Sequence, residues 1–271
     1  MANLLTLQQR VRAGEKLAIL TGYDASFAAS MQTAGIDAIL VGDTLGMVIQ
    51  GQRSTLPVTL ADIAYHTAAV ARGATDTFII ADLPFGSYQA SPAQALQSAA
   101  QLMAAGAHCV KLEGGAVMAE TTAFLTARGI PVCGHLGLLP QSVHAIGGYK
   151  VQAKTAFAAQ QLIEDARLLA HSGACMLVLE AIPATVAKSV TAALPIPTIG
   201  IGAGVECNGQ VLVVYDMLGL SPGKPPRFAR NFMEGSSSIA AALSAYVVAV
   251  KNGTFPAEQH SYFANSHENP A

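Results

Sequence analysis

The segment HCVKLE, residues 108–113, is a short apolar run that ends in a carboxylate, and it decides how the rest of the chain is interpreted. Such a run is too short for a helix and lacks clean polar alternation, which is typical of a strand buried on both faces of a parallel sheet. Seven further runs of four to seven residues occur along the 271-residue chain: LAIL (17–20), DAILVG (37–42), TFIIAD (77–82), IPVCGH (130–135), CMLVLE (175–180), IPTIGIG (196–202) and QVLVVYD (210–216).

Helical patterns separate these runs, which is the order expected of repeated βα units. The predicted helices cover Ser26–Thr33, Leu60–Ala71, Ser91–Ala105, Phe157–His171 and Ser236–Val250, with Thr59 as the N-cap of the second. Eight strand runs favour a closed (β/α)8 TIM barrel over the alternative of an open Rossmann-type sheet. We therefore predict a single barrel domain over residues 1–271, with a polar, mobile tail from about residue 264.

Composition excludes several classes of protein. Hydrophobic residues make up 52% of the chain and charged residues 12%, so a large core is expected rather than disorder. The net charge is −2 and no basic block is present, which argues against a nucleic-acid partner. No apolar run reaches the ~18 residues of a membrane span, and the first 16 residues do not resemble a signal peptide. The four cysteines form no C-x-x-C pair, which predicts reduced thiols in a cytoplasmic protein.

Acidic residues fall at the ends of the strand runs. These strand-end carboxylates are Asp43, Asp82, Glu113, Glu180 and Asp216, and Asp24 lies just beyond the first strand. All strand carboxyl ends of a parallel barrel face the same rim, so the side chains should converge. Any one of them could simply cap a helix, but several carboxylates in one space repel each other and require a bound cation or a shared proton. Oxygen ligands favour Mg²⁺.

Two basic side chains are expected at the same rim. Lys111 lies inside an apolar strand in phase with Glu113, which predicts a cation that faces a pocket. His135 ends its strand and is either a ligand contact or a satisfied rim histidine; the nearby Gly134 and Gly137 would let a substrate approach the backbone.

Three irregular segments remain open to interpretation. The glycine-rich segment 200–204, GIGAG, either binds a phosphate or forms a tight turn. The connections 43–58 and 136–154 are long for a compact barrel, and we expect them to act as lids.

Taken together, the chain resembles the 3-methyl-2-oxobutanoate (ketopantoate) hydroxymethyltransferase family from about residue 15 to 262. The matching segments are TGYDASFA (21–28), VGDTLGMVIQG (41–51), STLPVTLADIAYHTAAVARG (54–73), ADLPFGSY (81–88), VKLEGG (110–115), PVCGHLGLLPQSV (131–143), GGYKVQ (147–152), LVLEAIP (177–183) and IPTIGIGAG (196–204). The resemblance implies a barrel of the phosphoenolpyruvate-mutase/ketopantoate hydroxymethyltransferase type.

The resemblance also implies a reaction. A hydroxymethyl group would pass from 5,10-methylenetetrahydrofolate to 3-methyl-2-oxobutanoate through a Mg²⁺-stabilised enolate, giving 2-dehydropantoate (ketopantoate) in pantothenate biosynthesis. By motif, the implied roles are metal ligands Asp43, Asp82 and Glu113, substrate contacts Asp43, Thr44, Asp82, Lys111 and His135, and general base Glu180. A homo-oligomer, commonly a decamer of pentameric rings, is implied as well.

Two positions depart from the family pattern. Thr44 stands where Ser is usual, which keeps the hydroxyl and adds a methyl group, and Lys224 stands where the family has His. Two rival classes remain. A lyase or phosphonomutase of the phosphoenolpyruvate-mutase type would be expected to carry a Cys-bearing loop, which we do not find. A non-catalytic barrel would not need a base and a metal site on one rim.

Overall fold

A computed structural model describes residues 3–221 and 223–263 and contains a closed barrel of eight parallel strands. Each strand pairs with the next, and β1 closes the barrel by pairing with β8. The strands are β1 (Leu17–Thr21), β2 (Ala38–Val41), β3 (Phe78–Asp82), β4 (Cys109–Glu113), β5 (Val132–Gly137), β6 (Met176–Glu180), β7 (Thr198–Ile201) and β8 (Gly209–Leu212). The predicted (β/α)8 barrel is confirmed. The predicted mobile tail lies outside the described residues.

Helices surround the barrel, and α4, α5, α8 and α9 pack on β3, β4, β5 and β7. The helices are α1 (Leu4–Arg12), α2 (Ala25–Ala34), α3 (Leu45–Val48), α4 (Leu60–Gly73), α5 (Pro92–Ala104), α6 (Ala119–Thr126), α7 (Val143–Ile146), α8 (Ala156–His171), α9 (Ala184–Ala193), α10 (Val214–Met217) and α11 (Ile239–Lys251). Among the helices of residues 3–221 and 223–263, none has both the length and the apolar character needed to cross a bilayer.

Local capping explains where the predicted helices begin. Thr59 caps α4, because its hydroxyl accepts the N–H of Asp62 at 3.2 Å while the Asp62 carboxylate accepts the N–H of Thr59 at 2.9 Å. Ser91 caps α5, which starts with Pro92. The sequence did not predict α6 and α9, which are short and contain residues of modest helix propensity, Thr in α6 and both Thr and Val in α9.

The eighth strand is shorter than predicted, and this removes one carboxylate from the rim. β8 ends at Leu212, and the chain turns at Val213 into α10, which buries Val214 and Met217. A short continuous apolar run such as 211–214 cannot be assigned to a strand or a helix by periodicity alone, which is why the sequence predicts a single strand over 210–216. Asp216 lies on α10, and the prediction that it joins the other strand-end carboxylates is wrong.

The barrel interior changes from apolar to charged along its axis. The lower cavity is lined mainly by aliphatic side chains: Ile19, Leu40, Ile80, Met176, Val178, Ile199 and Val211, with Cys133 and Lys111. Strand β4 shows how this arises, since Lys111 and Glu113 are two residues apart and share one face, on which Glu113 lies nearer the carboxyl end. The charged groups at the carboxyl end of the strands therefore lie next to an apolar layer of the barrel interior.

The opposite end of the barrel carries a compact ion cluster around Asp37, just before β2. Its carboxylate contacts Arg10 at 2.6 Å and Lys251 at 3.0 Å, and it accepts the N–H of Ala18 at 2.8 Å. This cluster ties α1 and α11 to the bottom of the barrel. Its partners account for both carboxylate oxygens.

Candidate active site

One cavity at the carboxyl end of the barrel is lined by the seven residues to which the family resemblance assigns a role. These residues are Asp43, Thr44, Asp82, Lys111, Glu113, His135 and Glu180. They lie at or just beyond the ends of β2 to β6, on five neighbouring strands. Apolar side chains complete the lining: Leu40, Val178, Ile201, Val211, Leu212 and Val213. The predicted convergence at one rim is therefore what the structure shows.

Lys111 is a buried cation among carboxylates. Its Nζ lies 3.1 Å from Oδ1 of Asp82, and both side chains are at most 5% exposed. Burial opposes the lysine charge, but the carboxylates of Asp82, Glu113 and Asp43 outweigh it and hold the pKa of Lys111 above its usual range. The ammonium group is thus charged and available to stabilise negative charge on a ligand.

Asp43 is the carboxylate of the cluster whose ionised form is most disfavoured. Burial, followed by the charges of Asp82 and Glu113, raises the pKa of Asp43 well above its usual range. Burial also raises the pKa of Asp82, against the effect of Lys111. The two aspartates are directly connected, because the N–H of Asp43 donates to Oδ2 of Asp82 at 3.0 Å. A cation bound between them would relieve this repulsion.

His135 lies between two glutamates. Its Nδ1 is 3.5 Å from Oε1 of Glu113, and its Nε2 is 3.2 Å from Oε2 of Glu180. Burial and the charge of Lys111 oppose protonation, but the two glutamates outweigh them and raise the pKa of His135 to about 9. Burial disfavours the Glu113 carboxylate too, yet His135 and Lys111 hold the pKa of Glu113 below its usual range. The two glutamates therefore favour the protonated form of His135.

Glu180 is the most accessible carboxylate of this group. Its side chain is 15% exposed, whereas that of Glu113 is 3% exposed. Its Oε2 lies 3.2 Å from Nε2 of His135, and its side chain lines the cavity. A carboxylate in this position can exchange a proton with a bound molecule.

Thr44 is held by a residue that the sequence analysis did not single out. The hydroxyls of Thr44 and Tyr23 are 2.7 Å apart, and burial raises the pKa of Tyr23. Tyr23 lies in the TGYDASFA segment, which belongs to the family resemblance. It has no charge that would mark it as a site residue.

Two further uncharged residues belong to the site and were also missed. Gln141 and Tyr88 are 4% and 1% exposed, and the Tyr88 hydroxyl donates to Oε1 of Gln141 at 2.8 Å. Gln141 lies in the connection 136–154, which contacts the other long connection where the Tyr149 hydroxyl approaches Sδ of Met47 at 3.8 Å.

The glycines beside His135 have a packing role. A Cβ on Gly134 would lie 2.8 Å from Cδ1 of Leu177, and a Cβ on Gly137 would collide with the carbonyl oxygen of Glu180. These glycines allow close approach of neighbouring protein groups. The prediction that they open the backbone to a substrate is wrong.

The glycine-rich segment after β7 is likewise explained by packing. Gly202 and Gly204 have φ values of +63° and +83°, and a Cβ there would come within 2.9 Å of Phe228 and 2.5 Å of Ala184. The tight-turn interpretation of this segment therefore accounts for its composition.

Two other polar residues lie away from the cavity lining. Asp24 caps α2, where its Oδ1 accepts the N–H of Phe27 at 2.9 Å. Lys224, which replaces the family His, is exposed.

The carboxylates do not form a closed metal cage by themselves. Within the part of the chain that the structure describes, no group of three or more His, Cys, Asp or Glu side chains is arranged to hold a metal ion. Oδ1 of Asp82 and Oε1 of Glu113 are buried without a well-directed hydrogen bond, apart from their ion-pair contacts with Lys111 and His135. This donor set fits an ion that takes only one or two carboxylates and completes its shell with water and ligand, as Mg²⁺ does.

Solved structures of other proteins share the fold. Phosphoenolpyruvate phosphomutase from Streptomyces platensis subsp. rosaceus superimposes with a TM-score of 0.60 at 14% identity, over 80% of this chain and 83% of that one. The 2,3-dimethylmalate lyase of the phosphoenolpyruvate-mutase/isocitrate-lyase superfamily gives a TM-score of 0.57 at 18% identity, over 81% and 83% of the two chains. These likenesses agree with the barrel fold.

Sequence relatives are much closer. The 3-methyl-2-oxobutanoate hydroxymethyltransferase of Thiobacillus denitrificans is 62% identical over 96% of this chain and 98% of its own length. The protein of the same name from Neisseria meningitidis is 58% identical over 97% and 99%. The profile described as Ketopantoate hydroxymethyltransferase matches residues 2–258. The chain is therefore a transferase that belongs to the ketopantoate hydroxymethyltransferase family.

Proposed function

We propose that this chain transfers a hydroxymethyl group from 5,10-methylenetetrahydrofolate to 3-methyl-2-oxobutanoate and thereby forms 2-dehydropantoate for pantothenate biosynthesis. The relatives named for this reaction align with this chain over nearly their whole length. The observation that carries the proposal is the placement of Glu180 in the same cavity as Lys111 and the aspartate pair. Removing a proton next to a carbonyl needs both a base and positive charge to receive the electrons.

Mg²⁺ fits the aspartate pair of this cavity. Asp43 and Asp82 would hold it, with Glu113 behind them, because their buried oxygens repel one another and lack sufficient positive partners. When bound there, Mg²⁺ supplies Lewis-acid polarisation of the keto group of the oxo acid. Thr44, fixed by Tyr23, presents a hydroxyl to the same cavity and is placed to contact the carboxylate of the oxo acid.

The protein groups then divide the proton transfer between them. Glu180 accepts the C3 proton, and the 3.2 Å contact between its Oε2 and Nε2 of His135 keeps the carboxyl group at the cavity. The electron pair of the broken C–H bond moves toward the keto oxygen, where the Lys111 ammonium stabilises it. Water replaces both C–N bonds at the methylene carbon of the folate, which gives formaldehyde and tetrahydrofolate. C3 then attacks the formaldehyde carbon, a C–C bond forms as the C=O π bond breaks, and the new oxyanion takes a proton to complete the hydroxymethyl group.

The apolar lining is suited to the branched end of the substrate. Val178, Ile201 and Val211 line the cavity on the strands β6, β7 and β8, next to Glu180. An isopropyl carbon held there would be kept out of water with its C–H bond beside the base. Contacts of this kind favour a branched acid over pyruvate, because each buried methylene contributes about 0.8 kcal/mol.

The cysteines argue against the mutase-type rival. All four, Cys109, Cys133, Cys175 and Cys207, are buried, and none lies in the connections 43–58 or 136–154. A reaction that depends on a Cys-bearing lid therefore has no candidate residue in these connections.

Self-association is proposed on the same family basis, as a homo-oligomer of the decameric kind. Large apolar side chains are exposed at several separate places on the chain: Leu5 (69%), Tyr65 (72%), Phe157 (81%) and Val248 (56%). Light scattering should give a mass well above the 27.8 kDa of one chain. A monomeric mass would contradict this proposal.

Product analysis tests the reaction. The protein is incubated with Mg²⁺, 3-methyl-2-oxobutanoate and methylenetetrahydrofolate labelled with ¹³C in its methylene group. We expect one labelled hydroxymethyl carbon on C3 of the product by NMR, and none in the presence of a chelator. Absence of labelled product, or cleavage of the oxo acid instead, would overturn the proposal.

A further inference from the structure

The amide of Gln141 uses its whole hydrogen-bonding capacity inside the site. Its Nε2 donates to Oδ2 of Asp43 at 2.8 Å and to the carbonyl of Leu83 at 2.9 Å. Its Oε1 accepts from the hydroxyl of Tyr88 at 2.8 Å and from Nε2 of Gln89 at 3.2 Å. Two donors and two acceptors are thus matched, which is the full inventory of a carboxamide.

The orientation of this amide is fixed by a neighbour that can act in only one way. The carbonyl of Leu83 can only accept a hydrogen bond, and it lies 2.9 Å from the Gln141 amide. The atom of Gln141 that faces Leu83 must therefore be nitrogen. The NH₂ group then has to face Asp43.

The backbone of the same residue holds a second carboxylate. The N–H of Gln141 donates to Oε2 of Glu113 at 3.0 Å, from the short turn Pro140–Ser142. One residue therefore binds one oxygen each of Asp43 and Glu113, which come from different strands. The other oxygen of each carboxylate is left for the cavity, and Oε1 of Glu113 has no well-directed hydrogen bond.

We infer that Gln141 is a positioning residue that turns the carboxylates of Asp43 and Glu113 so that one oxygen of each faces the cation and oxo acid. It touches neither the substrate nor the reacting atoms. This inference rests on the proposed function, which supplies the cation and the oxo acid. It gives the connection 136–154 a direct contact with the carboxylates that are proposed to bind the metal.

A matched control exists elsewhere in the barrel. Gln210 is also buried, at 2% exposure, and its Nε2 donates to the carbonyl of Gly204 at 3.0 Å. Within residues 3–221 and 223–263, it makes no hydrogen bond to a carboxylate of the site. Loss of a buried amide should lower the thermal stability of the metal-free protein at either position, whereas only Gln141 should affect the ligands.

The experiment compares Gln141→Met with Gln210→Met in the full-length protein. Calorimetric titration with Mg²⁺, in the presence of 3-methyl-2-oxobutanoate and without folate, gives the metal affinity independently of turnover. We expect Gln141→Met to weaken Mg²⁺ binding by about tenfold to a hundredfold, the usual effect of removing a group that orients a metal ligand. Gln210→Met should bind Mg²⁺ as the wild type does.

A second variant keeps the test decisive if Gln141→Met does not fold. Tyr88→Phe leaves the amide in place and removes one of the two donors to its Oε1, so a smaller loss of Mg²⁺ affinity is expected. Wild-type affinity in a folded Gln141→Met or Tyr88→Phe protein, or an equal loss in Gln210→Met, overturns the inference.

A failure of the proposed metal site can be told apart from a failure of the inference. If the wild type does not bind Mg²⁺, the metal assignment fails. The affinity for the oxo acid then decides alone: a loss in Gln141→Met but not in Gln210→Met supports the positioning role, and equal affinities contradict it.

Discussion

Strand β2 has an aspartate at each end, and the two are treated differently by the fold. Asp37, before the strand, is buried with Arg10, Lys251 and the N–H of Ala18 around its carboxylate. Asp43, after the strand, is buried beside two other carboxylates, and its pKa is raised by burial and by their charges. The same residue type thus has surplus positive charge at one end and surplus negative charge at the other.

The difference separates groups that stabilise the barrel from groups reserved for a ligand. At the amino end, every acidic oxygen of the cluster has a protein partner, so nothing is left to bind. At the carboxyl end, Oδ1 of Asp82 and Oε1 of Glu113 lack well-directed hydrogen bonds, and the proposed cation would relieve this unfavourable arrangement. Barrels use their two ends in this way, with chemistry at the carboxyl end of the strands.

The largest effect is expected at the proton acceptor. Glu180→Gln keeps the size of the side chain and removes the base, so exchange of the C3 proton of 3-methyl-2-oxobutanoate with solvent should fall by about 10²- to 10⁴-fold. Binding of Mg²⁺ should be retained, because Asp43 and Asp82 are unchanged. Exchange at the wild-type rate, followed by NMR in D₂O, would remove Glu180 from this role.

The next effect concerns the carboxyl-end aspartate. Asp43→Asn removes one of three mutually repelling carboxylates, so the metal-free protein should melt at the wild-type temperature or higher. Mg²⁺ affinity should fall by about a hundredfold, since a charged ligand is lost. Calorimetry in parallel with thermal melting checks both. A clear loss of metal-free stability would mean that Asp43 is a structural group like Asp37.

The same substitution at the amino end should have the opposite effect. Asp37→Asn leaves Arg10 and Lys251 without their carboxylate and should lower the free energy of unfolding by about 2 kcal/mol. This is less than for a fully buried pair, because both cations remain about 30% exposed. Mg²⁺ affinity should not change, as measured by the same titration. Unaltered stability would show that the cluster contributes nothing.

The smallest effect is a pH dependence at the amino end. Nδ1 of His108 accepts the N–H of Ile79 at 3.0 Å, and burial lowers the pKa of His108. The unfolded chain therefore binds this proton more readily, so the stability contributed by neutral His108 is lost as pH falls below the unfolded pKa of about 6.5. His108→Gln should show a shallower fall in melting temperature between pH 7 and pH 5.5. Parallel curves for the two proteins would contradict this.

The sequence was informative wherever charge interrupted an apolar run. Asp82, Lys111 and Glu113 could be placed on one rim because strand direction and side-chain alternation leave little choice once a parallel barrel is accepted. The prediction for Asp216 was wrong because the continuous apolar run before it can form a strand or a helix. Only packing selects the helix α10.

The uncharged residues of the site could not be predicted from charges at strand ends. Gln141 and Tyr23 act through hydrogen bonds whose partners are distant in sequence, so no local pattern marks them. The prediction for the glycines beside His135 was wrong for a related reason. A glycine that allows contact with Leu177 has the same sequence signature as one that admits a substrate.

The most direct test of the account is deuterium uptake at C3 of 3-methyl-2-oxobutanoate by the wild-type protein, without folate. The carboxyl-end cluster should catalyse this exchange when Mg²⁺ is added and should cease to do so when the metal is chelated. Uptake that is absent under both conditions, or equal in both, would contradict the claim that cation-binding carboxylates and a base cooperate in this cavity.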